Sequence, residues 1–141
     1  MQFISTRGGM EPLGFTDVLL SGLAPDGGLA IPSEVPQLAL EDLEDLRDLS
    51  YAELAARIIG LYATDIDAED LRTLTAQAYG PQRFPSPVVP LTCLDDVAQG
   101  LGLVGLSEGP TMAFKDLAMQ FLGQAIPFVL RGRSQVLNIL G

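Results

Sequence analysis

Lys115 is the only lysine in this chain, which has no histidine and a single cysteine. The missing histidine excludes Ser-His and Cys-His nucleophilic pairs and histidine metal sites. Cys93 has no activating partner in sequence and reads as a small core or surface residue. That leaves the amine. Lys115 follows Gly109-Pro110-Thr111-Met112-Ala113-Phe114, a rigid turn with a hydroxyl and an aromatic, and it precedes Asp116 and an apolar run. A lysine in the first turn of a helix stands at the positive end of the macrodipole, and with apolar neighbours the uncharged amine is favoured. A neutral amine attacks an aldehyde to give an imine. The residues alone leave a second reading open, because a lone lysine is most often a solvated surface charge and Asp116 could form an ordinary surface pair with it.

Three other motifs fail on their chemistry. Gly100-Leu101-Gly102-Leu103-Val104-Gly105 matches the dinucleotide-binding glycine pattern by letter. That fingerprint needs a preceding strand, a helix starting within it and an acidic residue about 20 positions on. Here the glycines lie at or in an apolar strand, so a glycine-rich hairpin or strand entry fits better. The stretch Gly109 to Asp116 partly resembles a phosphate-binding loop, but Phe114 occupies the second glycine position and Asp116 the Ser/Thr position. An aromatic blocks close backbone approach, and a carboxylate repels phosphate. Asp65-Ile66-Asp67-Ala68-Glu69-Asp70 resembles the start of a calcium loop, yet it lacks the glycine at its sixth position and has Ala76 at its twelfth. An acidic helix N-terminus explains it better. No metal site is expected.

The elements that must position Lys115 follow from patterning. The 141 residues are 48% hydrophobic with a formal charge of -10, enough for a core and opposed to nucleic acid or anionic membranes. The amino terminus lacks a signal-peptide pattern, and Leu117 to Leu130 is too short and too polar to span a bilayer. A short strand is expected over residues 1–7. A helix follows over Phe15 to Leu23, with Thr16 as a candidate N-cap and Gly22 near its end. Ala24-Pro25-Asp26-Gly27-Gly28 is a strong turn signal, read as structural, before a short strand at Leu29 to Pro32.

Residues 38–79 read as helical. Leu40, Leu43, Leu46 and Leu49 suggest one apolar stripe opposite Glu41, Asp42, Glu44, Asp45 and Asp48, a solvated acidic face. Ser50-Tyr51-Ala52-Glu53 is a capping box that opens a helix with Leu54, Ile58 and Leu61 inward. A third helix starts at Thr64 or Asp67, carries Leu71, Leu74 and Ala78, and ends at Gly80-Pro81. The proline-rich stretch 80–87 marks a boundary. Beyond it, strands are expected at Val88 to Leu91 and Leu101 to Leu106. A helix then runs to about Arg131, kinked or shortened by Pro127, and a strand at Gln135 to Leu140 completes the order of a parallel βαβ unit. An apolar strand so close to Gly141 suggests a chain that stops partway through a ligand site, with an apolar edge left exposed.

Residues Glu108 to Gln120 closely resemble the lysine motif of the threonine synthases, a fold-type II family of pyridoxal-phosphate enzymes. Phe3-Ile4-Ser5-Thr6-Arg7-Gly8 and Gly22-Leu23-Ala24-Pro25-Asp26-Gly27-Gly28-Leu29 resemble that family's amino-terminal signature, in the right order. The resemblance implies an α/β protein. A small helix-rich amino-terminal domain with short strands, residues 1–82, would be followed by the beginning of the parallel-sheet, cofactor-binding domain, residues 83–141, truncated.

It also implies that Lys115 is the catalytic residue and binds pyridoxal 5'-phosphate covalently. Asp116 would help to bind the cofactor. Thr111 either contributes to substrate binding or serves as a turn or cap. The family converts O-phospho-L-homoserine and water to L-threonine and phosphate, and Lys115 would shuttle protons at the substrate's α and β carbons; the lone Cys93, which can form no intramolecular disulfide, fits an expected cytoplasmic location. The sequence departs from the family in length and in Glu108, where some members have His. The Gly/Ser/Thr-rich phosphate loop, which in the family follows a strand resembling Val136 to Leu140, falls beyond Gly141. The isolated 141 residues are therefore expected to be inactive and to lack cofactor. Two competing readings are a related fold-type II lyase acting on another phosphorylated amino acid, and a non-catalytic interaction module presenting the acidic helices.

Overall fold

The computed structural model describes residues 1–138. Nine elements run in the order β1 (Phe3–Ser5), α1 (Phe15–Ser21), β2 (Ala30–Pro32), α2 (Leu40–Leu46), α3 (Tyr51–Gly60), α4 (Ala68–Tyr79), β3 (Leu91–Cys93), β4 (Gly102–Val104) and α5 (Asp116–Gly132). β1 pairs antiparallel with β2, Ile4 facing Ile31, and β3 with β4, Thr92 facing Leu103. The expected parallel ladder is not formed among the described residues. Residues 135–138 lie outside helix and strand, and the rest of the strand expected at Gln135 to Leu140 lies outside the described residues. The glycines of Gly100 to Gly105 sit in the β3–β4 hairpin, as their spacing suggested, and Gly100 takes φ 76° in its connection.

The core forms where α3, α4 and α5 pack in sequence. Leu71, Leu74, Thr75 and Ala78 recur at three- and four-residue spacing, which keeps them on one face of α4, and all are buried. On α5, Phe121, Ala125 and Val129 recur every four residues and face inward. Phe84 and Val88, in the proline-rich connection, fill the space between, so one hydrophobic cluster crosses the boundary expected at residue 82. Pro127 lies inside α5 and does not cut it short. Its missing N–H leaves the Gly123 carbonyl without its helical donor, and Gly123 is on the solvent side where water can serve.

α2 differs from expectation in a way its spacing explains. Leucines three apart advance only about 300° per step, so the line drifts around the helix by about 60° each time. Leu46 and Leu49 are accordingly half-buried, while Leu43 is exposed and Leu40 is 80% exposed. The acidic residues beside them are solvated. The Ser50 capping box opens α3, with Glu53 accepting from the Ser50 amide at 2.9 Å and its hydroxyl at 2.6 Å. The N-terminus of α1 is capped differently. The chain enters the helix from Gly14, and Asp65, from the α3–α4 connection, accepts from the Thr16 amide at 2.9 Å and the Thr16 hydroxyl at 2.7 Å. The same hydroxyl accepts from Arg133 at 2.9 Å, and Arg133 also pairs with Asp17 at 2.7 Å.

Tyr79 joins α4 to α5 by donating its hydroxyl to the Leu117 carbonyl at 2.7 Å. Burial, with Tyr51 adding to it, pushes the Tyr79 phenol up to about 12. A raised folded-state value means that the stabilisation is complete below the unfolded value near 10 and is lost as pH rises toward 12. Stability measured by urea titration is expected to fall across that window. Tyr79→Phe should flatten the fall, while costing about 0.5–1.5 kcal/mol at pH 7 through the lost hydrogen bond. An unchanged alkaline slope in Tyr79→Phe would show that other groups control it.

Candidate functional site

Lys115 occupies the N-cap position of α5, with φ -61° and ψ -23°, and its carbonyl accepts from the amides of Ala118 at 3.0 Å and Met119 at 2.8 Å. Its side chain is exposed and has no hydrogen-bond or ion-pair partner among the described residues. The apolar enclosure expected from its neighbours is not formed: Phe114 is 66% exposed, and Met112 and Met119 also face solvent. The sequence correctly placed apolar side chains beside the lysine, but nothing in the described residues covers them.

Asp116 makes no pair with Lys115. It is only 3% exposed and turns back under the preceding loop. Its Oδ2 accepts from the Thr111 amide and the Thr111 hydroxyl, both at 2.8 Å. Burial opposes ionisation of this carboxyl, but the two Thr111 donors, with Gln120 and the Ala113 amide, outweigh it and hold Asp116 below the usual carboxylate range. Within the loop the Met112 amide donates to the Gly109 carbonyl at 3.0 Å, and Met112 takes φ 55°, left-handed backbone that non-glycine residues seldom adopt. Gly109 is buried directly against Asp116, where a Cβ would stand 2.6 Å from Oδ2. Thr111 is thus part of a turn lock, one of the two roles its sequence left open. Glu108 is half-buried just outside the lock.

A second polar knot lies at the other family-like signature. Asp26 accepts from the Ser5 hydroxyl at 2.7 Å, the Gly9 amide at 2.7 Å and the Gly28 amide at 2.9 Å. These donors, Ser5 foremost and then Gly28, hold its carboxyl below the ordinary value. Arg7 donates to the Asp26 carbonyl at 3.1 Å. The turn therefore fastens the end of β1, and the Asp26 carboxylate is fully engaged within the protein. Sequence reasoning recognised this turn but missed Ser5 as its buried partner and Asp65 as a cap for α1. Both contacts join residues remote in sequence, so no local pattern announces them.

An open groove of about 830 Å³ lies between α2, α3 and α4, lined by residues such as Leu46, Leu49, Arg57 and Leu61, and no residue of the Lys115 loop borders it. No cluster of acidic or cysteine side chains able to hold a metal occurs among the described residues. No helix is long and apolar enough to cross a membrane among them. The chemistry available at this site is that of one accessible side-chain amine, held at a helix start by a locked loop, with three exposed apolar side chains around it.

The Asp26-centred turn and the lysine-bearing helix start are the two polar features that comparison with known proteins can place. Residues 2–79 match the family model described as threonine synthase N terminus. The chain is 47% identical over 147 aligned positions to a threonine synthase of Corynebacterium glutamicum, covering 100% of this chain and 30% of that protein. Its fold is similar to that of pyridoxal-phosphate-bound threonine synthase from Brucella melitensis, at 39% identity and TM-score 0.86 over 95% of this chain and 28% of the other. It also resembles yeast threonine synthase, at 34% identity and TM-score 0.82, covering 96% of this chain and 28% of that one. The chain belongs to the threonine synthase family and matches its amino-terminal portion. It spans about 30% of the length of the curated relatives it matches.

Proposed function

We propose that this chain is the lysine-bearing portion of a threonine synthase, acting in the cytoplasm on O-phospho-L-homoserine and water to give L-threonine and phosphate. The observation that carries the reading is Lys115: the only lysine, accessible, fixed at the start of α5, in a chain of this family. The residues present fit pyridoxal phosphate at its point of attachment, since a free primary amine is what its carbonyl requires. When bound, the cofactor supplies an electron sink for the substrate. Lys115 holds the cofactor through its amine. As a free amine, Lys115 would move protons at the substrate's α and β carbons as phosphate leaves the γ carbon and water adds at the β carbon. Asp116 and Thr111 serve the cofactor and substrate sides of this site through the loop they hold. The division into residues 1–82 and 83–141 is one of role, because the two share a core.

The 141 residues alone are expected to be inactive, so the test is a chimera. This chain replaces the matching segment of the Corynebacterium glutamicum relative. The chimera is expected to form threonine and phosphate and, after borohydride reduction, to carry pyridoxyl on Lys115. Lys115→Ala should lose both. A folded chimera that fixes the cofactor at another lysine, or nowhere, would sink the proposal.

A further inference from the structure

We infer that Asp116 is a positioning residue, which acts on the site by holding Thr111 and so fixing the arc from Gly109 to Lys115. The inference rests on the reading of Lys115 as the cofactor's attachment point and adds how that amine is presented.

Five observations support it. Asp116 is buried, so its carboxylate is not offered to solvent on the face where Lys115 stands. The oxygen that would otherwise be free, Oδ2, already takes two donors from Thr111, five residues back. Gly109 leaves room for that carboxylate only because it lacks a side chain. The arc between them contains Met112 at positive φ, a conformation that costs energy and persists only where neighbouring contacts hold it. No side chain caps α5 at its N-cap, so the Asp116–Thr111 bonds are the side-chain fastening between the loop and the helix start, beside the backbone bonds from Asp116 to Ala113 at 3.0 Å and from Leu117 to Phe114 at 3.3 Å. Lys115 lies inside the closed stretch, one residue before the anchor. An amine on a long flexible stem reacts in register with a bound partner only if its backbone is fixed, and small displacements there cost large factors in rate.

The lock predicts a difference between removing the acceptor and removing only its charge. Asp116→Ala removes both bonds that close the arc, and Thr111→Val removes the one made by the hydroxyl. Asp116→Asn leaves a carbonyl oxygen where the carboxylate oxygen was and can still accept from Thr111. The 141-residue chain is treated with pyridoxal phosphate and borohydride, and adducts at Lys115 and at the Met1 amine are quantified in the same molecule. Met1 serves as the internal reference, so the ratio is measurable however weakly the reagent binds. Asp116→Ala removes both bonds and is expected to lower the Lys115 to Met1 ratio by about tenfold, while Thr111→Val keeps the bond from the residue 111 amide and should lower it by less. The double variant should fall no further than Asp116→Ala alone, because the hydroxyl bond is already lost there. Asp116→Asn should recover most of the loss. In parallel, backbone relaxation of residues 110–115 by nitrogen-15 NMR should show the arc loosened in the alanine variant and restored in the asparagine variant.

Two results would overturn the inference. Equal labelling and equal loop order in all variants mean that the lock does not govern the amine. If instead Asp116→Asn is as damaging as Asp116→Ala while the arc stays ordered, the carboxylate acts directly by its charge. Failure of the broader enzymatic reading shows separately, as a chimera that holds its cofactor away from Lys115.

Discussion

Phe121→Ala is expected to destabilise the chain by about 3–5 kcal/mol, the range for removing a buried aromatic ring without collapse of the space it leaves. Phe121 is 6% exposed and lies in the cluster that α3, α4 and α5 share with Phe84 and Val88. Its flanking partners Ala78 and Ala125 are fully buried and small, so they have no side chain to swing into the gap. Domains of this size are stable by about 5–15 kcal/mol in total, so the loss is a large share. Because the cluster draws on both sides of the proline-rich connection, far-UV circular dichroism and tyrosine fluorescence, the latter from Tyr51, Tyr62 and Tyr79, should lose their signals in one coincident transition at a lower midpoint. Separate transitions, with the amino-terminal helices surviving, would show that residues 1–82 form a core of their own.

Gly109→Ala is expected to be the most damaging small change at the candidate site. The added Cβ would meet the Asp116 carboxylate and its Cγ, at 2.7 Å for the latter, in a buried position. Asp116 has no free rotamer to retreat into while it keeps both bonds to Thr111. The clash is expected to cost about 1–3 kcal/mol as overpacking. The larger consequence falls on the amine: labelling of Lys115 by pyridoxal phosphate relative to Met1 should drop at least as far as in Asp116→Ala. Gly123→Ala is the control, since a Cβ there meets nothing within 4 Å on the exposed side of the same helix. It should be neutral or mildly stabilising through helix propensity. If Gly109→Ala behaves like Gly123→Ala in both melting and labelling, the close approach of residue 109 to Asp116 has no consequence in solution.

Features governed by short-range rules were legible in the sequence. Ser50 and Glu53 announce their helix because a capping box needs only four residues. The turn at Asp26 to Gly28 follows from glycine's access to positive φ, which Gly27 adopts at 73°. Lys115 stands out in the sequence by its place between Gly109 and Asp116, and the folded chain puts it at the start of α5. Features set by distant partners were not legible. Asp116 looked like a surface partner for Lys115, and only the folded loop shows that it faces Thr111 and Gly109 instead. The Leu40 to Leu49 line looked like a core stripe because its residue types were right, but its spacing of three drifts off the packing face. The strand–helix–strand order also did not announce that β3 and β4, close in sequence, pair antiparallel with each other.

The Thr16 junction has a consequence for synthesis. Its three members come from residues 16, 65 and 133, and Arg133 reaches Thr16 across 117 positions. Phe121 and Ala125 also complete a core whose other members begin at Ala56. On a ribosome, the first four helices would therefore emerge well before the side chains that close over them. They would wait with Leu71, Leu74 and Ala78 uncovered until α5 clears the exit, because contacts distant in sequence form only after the intervening chain exists. Emergence of α5 is thus the earliest moment at which this core can close, and any pause before it prolongs the exposure.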